Sequence, residues 1–254
     1  MTLAIATYAH IAASFVLLGA ALFPLYARVA PPKRVLRWSA LAAFIFGVCA
    51  TALHAIAFET TLPNLMLTGI GRVWFAQCGL AVALVLGSTR LPRIAFAMIA
   101  GINVALFAFI GHANAIAGWP GAGVEALHLL AAGGWIGGLV ALVLSLRQTP
   151  SAETVRRFSW AGMVFVVVLA ASGVATLFQI TGAPLPMTAF SYGLLAWAKV
   201  SAFAIAAGLA SFNRVVATPR NAWRALAISI ALELVVLSAA LALAVRFAST
   251  EPLA

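Results

Sequence analysis

The sequence predicts an all-α integral membrane protein, a bundle of about eight transmembrane helices. Composition is the first observation. Apolar residues make up 65% of the 254 residues, charged residues 8%, and the mean hydropathy is +1.11. A soluble domain is nearer half apolar and a quarter charged. No soluble core could hide this much apolar surface, so the bilayer is the solvent. The second observation is pattern. The apolar runs are about 20 residues long and lack period-2 alternation. In lipid every backbone N–H and C=O needs an internal partner, which leaves helices or a closed barrel. The missing alternation selects helices.

The spans are expected at 3–26, 38–58, 71–88, 93–112, 124–146, 158–179, 190–212 and 224–247, in one polytopic domain over 1–254. The first run has no Lys or Arg before it. A cleaved signal peptide has a positive start, so this run is read as a retained helix. "ARVAPPKRVLR" leads into the second span and "ETTLPNLMLTGIGR" into the third. The semi-apolar "TLPNLMLTGIG" is placed in the interface as a short helix. "STRLPR" precedes the fourth span, "ANAIAGWPGAG" the fifth and "RQTPSAETVRR" the sixth. "TGAPLPMTAFSYG" and "NRVVATPRNAWR" precede the last two.

Charge orients this map. The odd-numbered loops hold Arg28, Lys33, Arg34, Arg37, Arg90, Arg93, Arg147, Arg156, Arg157, Arg214, Arg220 and Arg224. The opposite face holds Arg72 and Arg246, and Lys199 lies inside a span. Twelve against two puts the odd loops in the cytoplasm and both termini in the periplasm. The same clustering between apolar runs excludes nucleic acid as the reason for a net charge of +10, and membrane lipid is the expected surround. Cys49 and Cys78 fall inside spans without CxxC spacing and read as small hydrophobes, with no disulfide implied.

All four histidines then lie in the outward half. His10 is about two turns into the first helix. His54 and His112 sit near the outer ends of the second and fourth, and His128 about one turn below the outer end of the fifth. Ionisable groups inside a membrane are costly and commonly functional. Glu125 and His128 are three residues apart and share a helical face, so the pair can bind a metal, or the glutamate can orient the imidazole. Imidazole and carboxylate suit Cu(II), Zn or Ni. Thioethers at Met66 and Met187 would favour Cu(I), or simply fill space. The expected metal site is His10, His112 and His128, with His54 and Glu125 as further members.

Lys199 and Glu233 are expected at mid-depth on neighbouring antiparallel helices. There they either form a structural salt bridge, or one of them gates a path or moves a proton. Gln77, Asn103, Ser172, Thr176 and Gln179 could line a polar route or bond helix to helix. Gly133, Gly134, Gly137 and Gly138 hold two small-xxx-small pairs. These mark a tight helix contact within one chain or between two, which leaves a homodimer open.

Several stretches resemble a known family. "LHLLAAGGWIGGLVAL" is similar to the His-x(6)-Trp-x-Gly-Gly-Leu signature of the copper resistance D family (CopD/PcoD). "RRFSWAGMVFVVVLAASGVATL", "SYGLLAWAKVSAFAIAAGLASFNR" and "LELVVLSAALALA" continue the likeness over roughly 108–246. The first half resembles the family in a first-helix histidine and in "GHA" closing the fourth helix. The resemblance implies a copper protein of the bacterial inner membrane that imports the ion from periplasm to cytoplasm. A separate periplasmic CopC-like protein is the implied partner. His128 and Trp135 match the motif, His112 matches the histidine closing the fourth helix, and His10 is carried over. Copper, as Cu(I) or Cu(II), is the implied ion, and no enzymatic activity is expected. The alternatives are a b-type haem electron carrier using paired histidines, and a metal-using membrane oxidoreductase or assembly factor.

Overall fold

The computed structural model describes residues 2–29, 33–148, 151–182 and 191–247. Among them the chain forms nine α-helices: α1 (Thr2–Ala27), α2 (Lys33–Ala57), α3 (Leu62–Leu67), α4 (Gly69–Gly87), α5 (Arg93–Ala105), α6 (His112–Gln148), α7 (Ala152–Thr181), α8 (Ser191–Phe212) and α9 (Trp223–Phe247). A 3-10 turn (Leu106–Ile110) prolongs α5, and a π-helical turn (Asn213–Ala217) prolongs α8. All but α3 are long and apolar enough to cross a membrane, α5 together with its 3-10 turn, which gives the eight expected spans. Their outer faces are apolar: Val164, Val167, Leu194 and Val235 are each more than half exposed, as lipid contact requires.

Three expected loops turn out to be largely helical. "ANAIAGWPGAG" belongs to α6, broken only at Gly118, whose φ of 60° and ψ of −144° are open to glycine and strained for other residues. "RQTPSAETVRR" supplies the first turns of α7. Ser151 Oγ accepts the Thr154 N–H at 3.2 Å, and Glu153 pairs with Arg156 and Arg157 one turn on. Charge density that reads as a loop is here a capped helix start. "NRVVATPRNAWR" begins with the π turn, closed by Thr218 N–H to Asn213 O at 3.0 Å. The short interfacial segment does form a helix, α3. Thr61 caps it and Thr68 caps α4, accepting from Gly71 N at 2.9 Å.

Helices α1, α2, α4 and α5 make one half of the bundle, and α6 to α9 the other. The halves join where α1 lies on α6. A Cβ on Gly19 would strike the backbone of Gly137 and Gly138, and one on Gly137 would strike the Phe15 carbonyl. Gly133 receives Leu18 and Phe15, Gly134 receives Phe165, and Gly138 receives Phe158 and the Tyr26 hydroxyl. The glycine run is therefore filled by contacts within one chain. In the second half, α7 and α8 barely meet, and a cavity opens beside them.

Candidate functional site

Glu125, His128 and Trp135 line that cavity from α6, which has a volume of about 370 Å³. Its other walls are apolar apart from Thr176 on α7 and Lys199 on α8. His128 Nδ1 lies 3.0 Å from Ser172 Oγ, and that hydroxyl donates to Val168 O at 2.6 Å. Ser172 must therefore accept from His128, so Nδ1 carries the proton. Nε2 keeps its lone pair, the form in which histidine ligates metals. Glu125 and Lys199 both stand within electrostatic range of the ring. The expected Glu125–His128 pair is thus brought together.

Trp135 closes the far end of this cavity and also lines a second one, of about 220 Å³, with Asn213, Arg214 and Glu233. Its indole N–H donates to Glu233 Oε1 at 2.8 Å, and Asn213 Nδ2–H donates to Oε2 at 3.2 Å. The expected Lys199–Glu233 bridge is not formed among the described residues. Glu125 is the carboxylate whose charge reaches Lys199. The π turn explains the mismatch by carrying the helix on to Ala217. Lys199 then stands about 27 Å from that helix end, whereas Glu233 is about 15 Å from the start of α9. The two side chains occupy different levels, on either side of Trp135.

The remaining histidines sit elsewhere. His10 is fully buried in the first half, with Nδ1 2.7 Å from Ala43 O. His54 Nδ1 lies 2.8 Å from Ala50 O. Both rings pack on Trp74, with centroids 5.4 and 4.8 Å from it, and His10 also meets Phe107 at 5.2 Å. No three His, Cys, Asp or Glu side chains converge among the described residues. The single site expected from His10, His54, His128 and Glu125 is therefore two places, one in each half. Equal depth along a helix does not fix which way a side chain faces. His112 opens α6, and its side chain, like Met187, lies outside the described residues. The expected polar route divides in the same way. Ser172 bonds to His128 and Thr176 lines its cavity, whereas Gln77 and Asn103 bond to each other near His10. Asn213 was missed as a partner of Glu233, because only the π turn aims it there.

Fold and site together define a multi-pass helical membrane protein with imidazole donors buried in each half. Residues 152–247 match the profile described as Copper resistance protein D, and residues 1–124 the one described as Copper resistance protein D-like, N-terminal domain. The chain belongs to the copper resistance protein D family and is a multi-pass inner-membrane protein. The likeness thus reaches beyond 108–246 into the first half. Inner membrane protein YebZ of Escherichia coli (strain K12) is 29% identical over 231 residues, covering 81% of this chain and 79% of the relative. Copper resistance protein D of Pseudomonas syringae pv. tomato is 29% identical over 243 residues, covering 80% and 78%. No solved structure matches.

Proposed function

We propose that the chain binds copper at its periplasmic side and passes it across the inner membrane into the cytoplasm. One observation carries the reading: His128 holds its Nδ1 proton on Ser172 and keeps an Nε2 lone pair in a cavity shared with Glu125. Imidazole and carboxylate form a suitable donor set for copper, and the relatives' name points to the same ion. His112, at the start of the same helix, is a further ligand candidate. Beyond the cavity, the route runs past Trp135 to Glu233 and Asn213. The positive-inside count places both termini and the His128 end outward, where a separate CopC-like protein would deliver the ion. The chain works by binding and translocation, without catalysing a reaction. Copper is favoured over haem because the cavity has one described histidine, and a bis-histidine haem needs two.

Copper uptake by vesicles carrying the purified protein tests this. His128→Ala should weaken copper binding at least about tenfold and slow uptake accordingly. Unchanged affinity and uptake would overturn the site, as would a haem absorption band in the purified protein. A reporter fused after Ala254 should be active in the periplasm, and cytoplasmic activity would reverse the orientation.

A further inference from the structure

The first half holds a set of donors that the His128 cavity does not use. His10 gives its Nδ1 proton to Ala43 O, so Nε2 keeps a lone pair, and that atom is buried without a hydrogen-bond partner among the described residues. Gln77 lies against the same ring. Its Nε2–H donates to Asn103 O at 3.0 Å, and Asn103 Nδ2–H donates to Ser14 Oγ at 3.3 Å. Those bonds orient both amides and leave Gln77 Oε1 and Asn103 Oδ1 buried and unbonded. The Trp74 indole N–H is also unbonded. Buried polar atoms are rarely left unpaired, and here four belong to His10, its neighbours Trp74 and Gln77, and Asn103, which Gln77 bonds. Three carry lone pairs and one carries a proton. A water could accept from Trp74 and donate to two of the three, leaving one bare. A cation suits such an excess of lone pairs.

A soft donor stands beside them. Cys78 follows Gln77 on α4, and Gly47 on α2 leaves a space open between the thiol and the imidazole. A Cβ placed on Gly47 would lie 2.9 Å from His10 Cε1, 3.1 Å from its Nδ1 and 3.3 Å from Cys78 Sγ. The Thr51 hydroxyl lies 3.9 Å from the thiol. Imidazole nitrogen with thiolate sulfur is a donor set for monovalent copper, and the thiolate cancels the charge of the buried ion. An entry side exists as well. His54, half-buried near the end of α2, also spends Nδ1 on a carbonyl and stacks on Trp74, the ring that His10 touches more deeply.

We propose that His10 Nε2 and Cys78 Sγ form a second copper site, specific for Cu(I), with the Gln77 and Asn103 side-chain oxygens as its polar surround. Copper arrives as Cu(I), so no electron moves. The thiol proton passes to solvent as the Cu–S bond forms. The proposal rests on the copper reading above but concerns the other half of the bundle.

Titrating the full-length purified protein with Cu(I) under reducing conditions, with X-ray absorption of the loaded protein, tests it. Wild type should bind two coppers per chain and show Cu–S scattering. His128→Ala should lose one copper and keep that scattering. Cys78→Ser and His10→Ala should each lose the other copper, and Cys78→Ser should lose the scattering. Gly47→Ala, which fills the space between the donors, should weaken this site at least tenfold and spare the His128 site. A single copper that disappears in His128→Ala overturns the second site and leaves the copper function standing. Cu–S scattering that survives Cys78→Ser, or depends on Cys49 instead, also overturns it. No copper bound by wild type overturns both readings.

Discussion

The two halves of the bundle handle their buried polar groups in opposite ways. In the first half His10, Ser14, Gln77 and Asn103 are all fully buried and packed against one another and Trp74. In the second half Glu125, His128 and Lys199 face one open chamber, Glu233 and Asn213 face another, and Trp135 divides them. The two proposals divide along this line: the packed set of donors is the one assigned retention of a dehydrated ion, and the two chambers flanking Trp135 are assigned its passage.

The largest expected effect breaks the joint between the halves. Gly137→Leu would drive a side chain into the Phe15 carbonyl, a backbone atom that cannot swing aside. Overpacking of this kind costs on the order of 3 kcal/mol or more. Thermal unfolding in detergent should show both halves losing stability together; near-normal stability would mean that α1 and α6 are not in this contact.

Trp135→Phe comes next. An aromatic ring stays, but Glu233 loses the indole N–H, and a buried acceptor left without its donor costs about 1–3 kcal/mol. A stability change near zero would show that the carboxylate does not depend on Trp135. A smaller effect sharpens the description of the second half. Lys199→Met and Glu233→Gln should be additive within about 0.5 kcal/mol, because the residues lie at different levels on either side of Trp135. Lys199→Met and Glu125→Gln should couple. Coupling in the first double-mutant cycle and additivity in the second would restore the direct bridge and remove the division at Trp135. The smallest effect is Ser151→Ala, about 1 kcal/mol from loss of the α7 cap, with copper binding unchanged. A copper defect there would mean that the cap shapes the cavity.

The eight spans were legible because hydropathy acts over whole helices. Their ends were less so. Glu153, Arg156 and Arg157 look like loop charges, yet at i+3 and i+4 they stabilise the helix they open. The grouping of His10 with His128 failed for a different reason. Counting along a span gives depth, while the direction a side chain faces depends on packing that no local pattern encodes. His128 and Glu125 were found together because both lie on one helix. The nearness of Cys78 and His10 depends on Gly47, a residue whose importance is the absence of a side chain.

The π turn after α8 has a consequence for how this chain tolerates change. Its carbonyls bond five residues ahead, as Asn213 O does to Thr218 N–H, so it holds one residue more than an α-helix would spend over the same length. Each residue in an α-helix advances the chain about 100° around the axis. A deletion in the α-helical part of α8 would therefore turn everything before it by about that angle and swing Lys199 away from Glu125. The π turn already carries a residue in excess, so losing one from 214–217 would let the helix close on the ordinary pattern with the body of α8 still in register with α9. The segment is thus the place where α8 can absorb a change of length that the rest of the helix cannot.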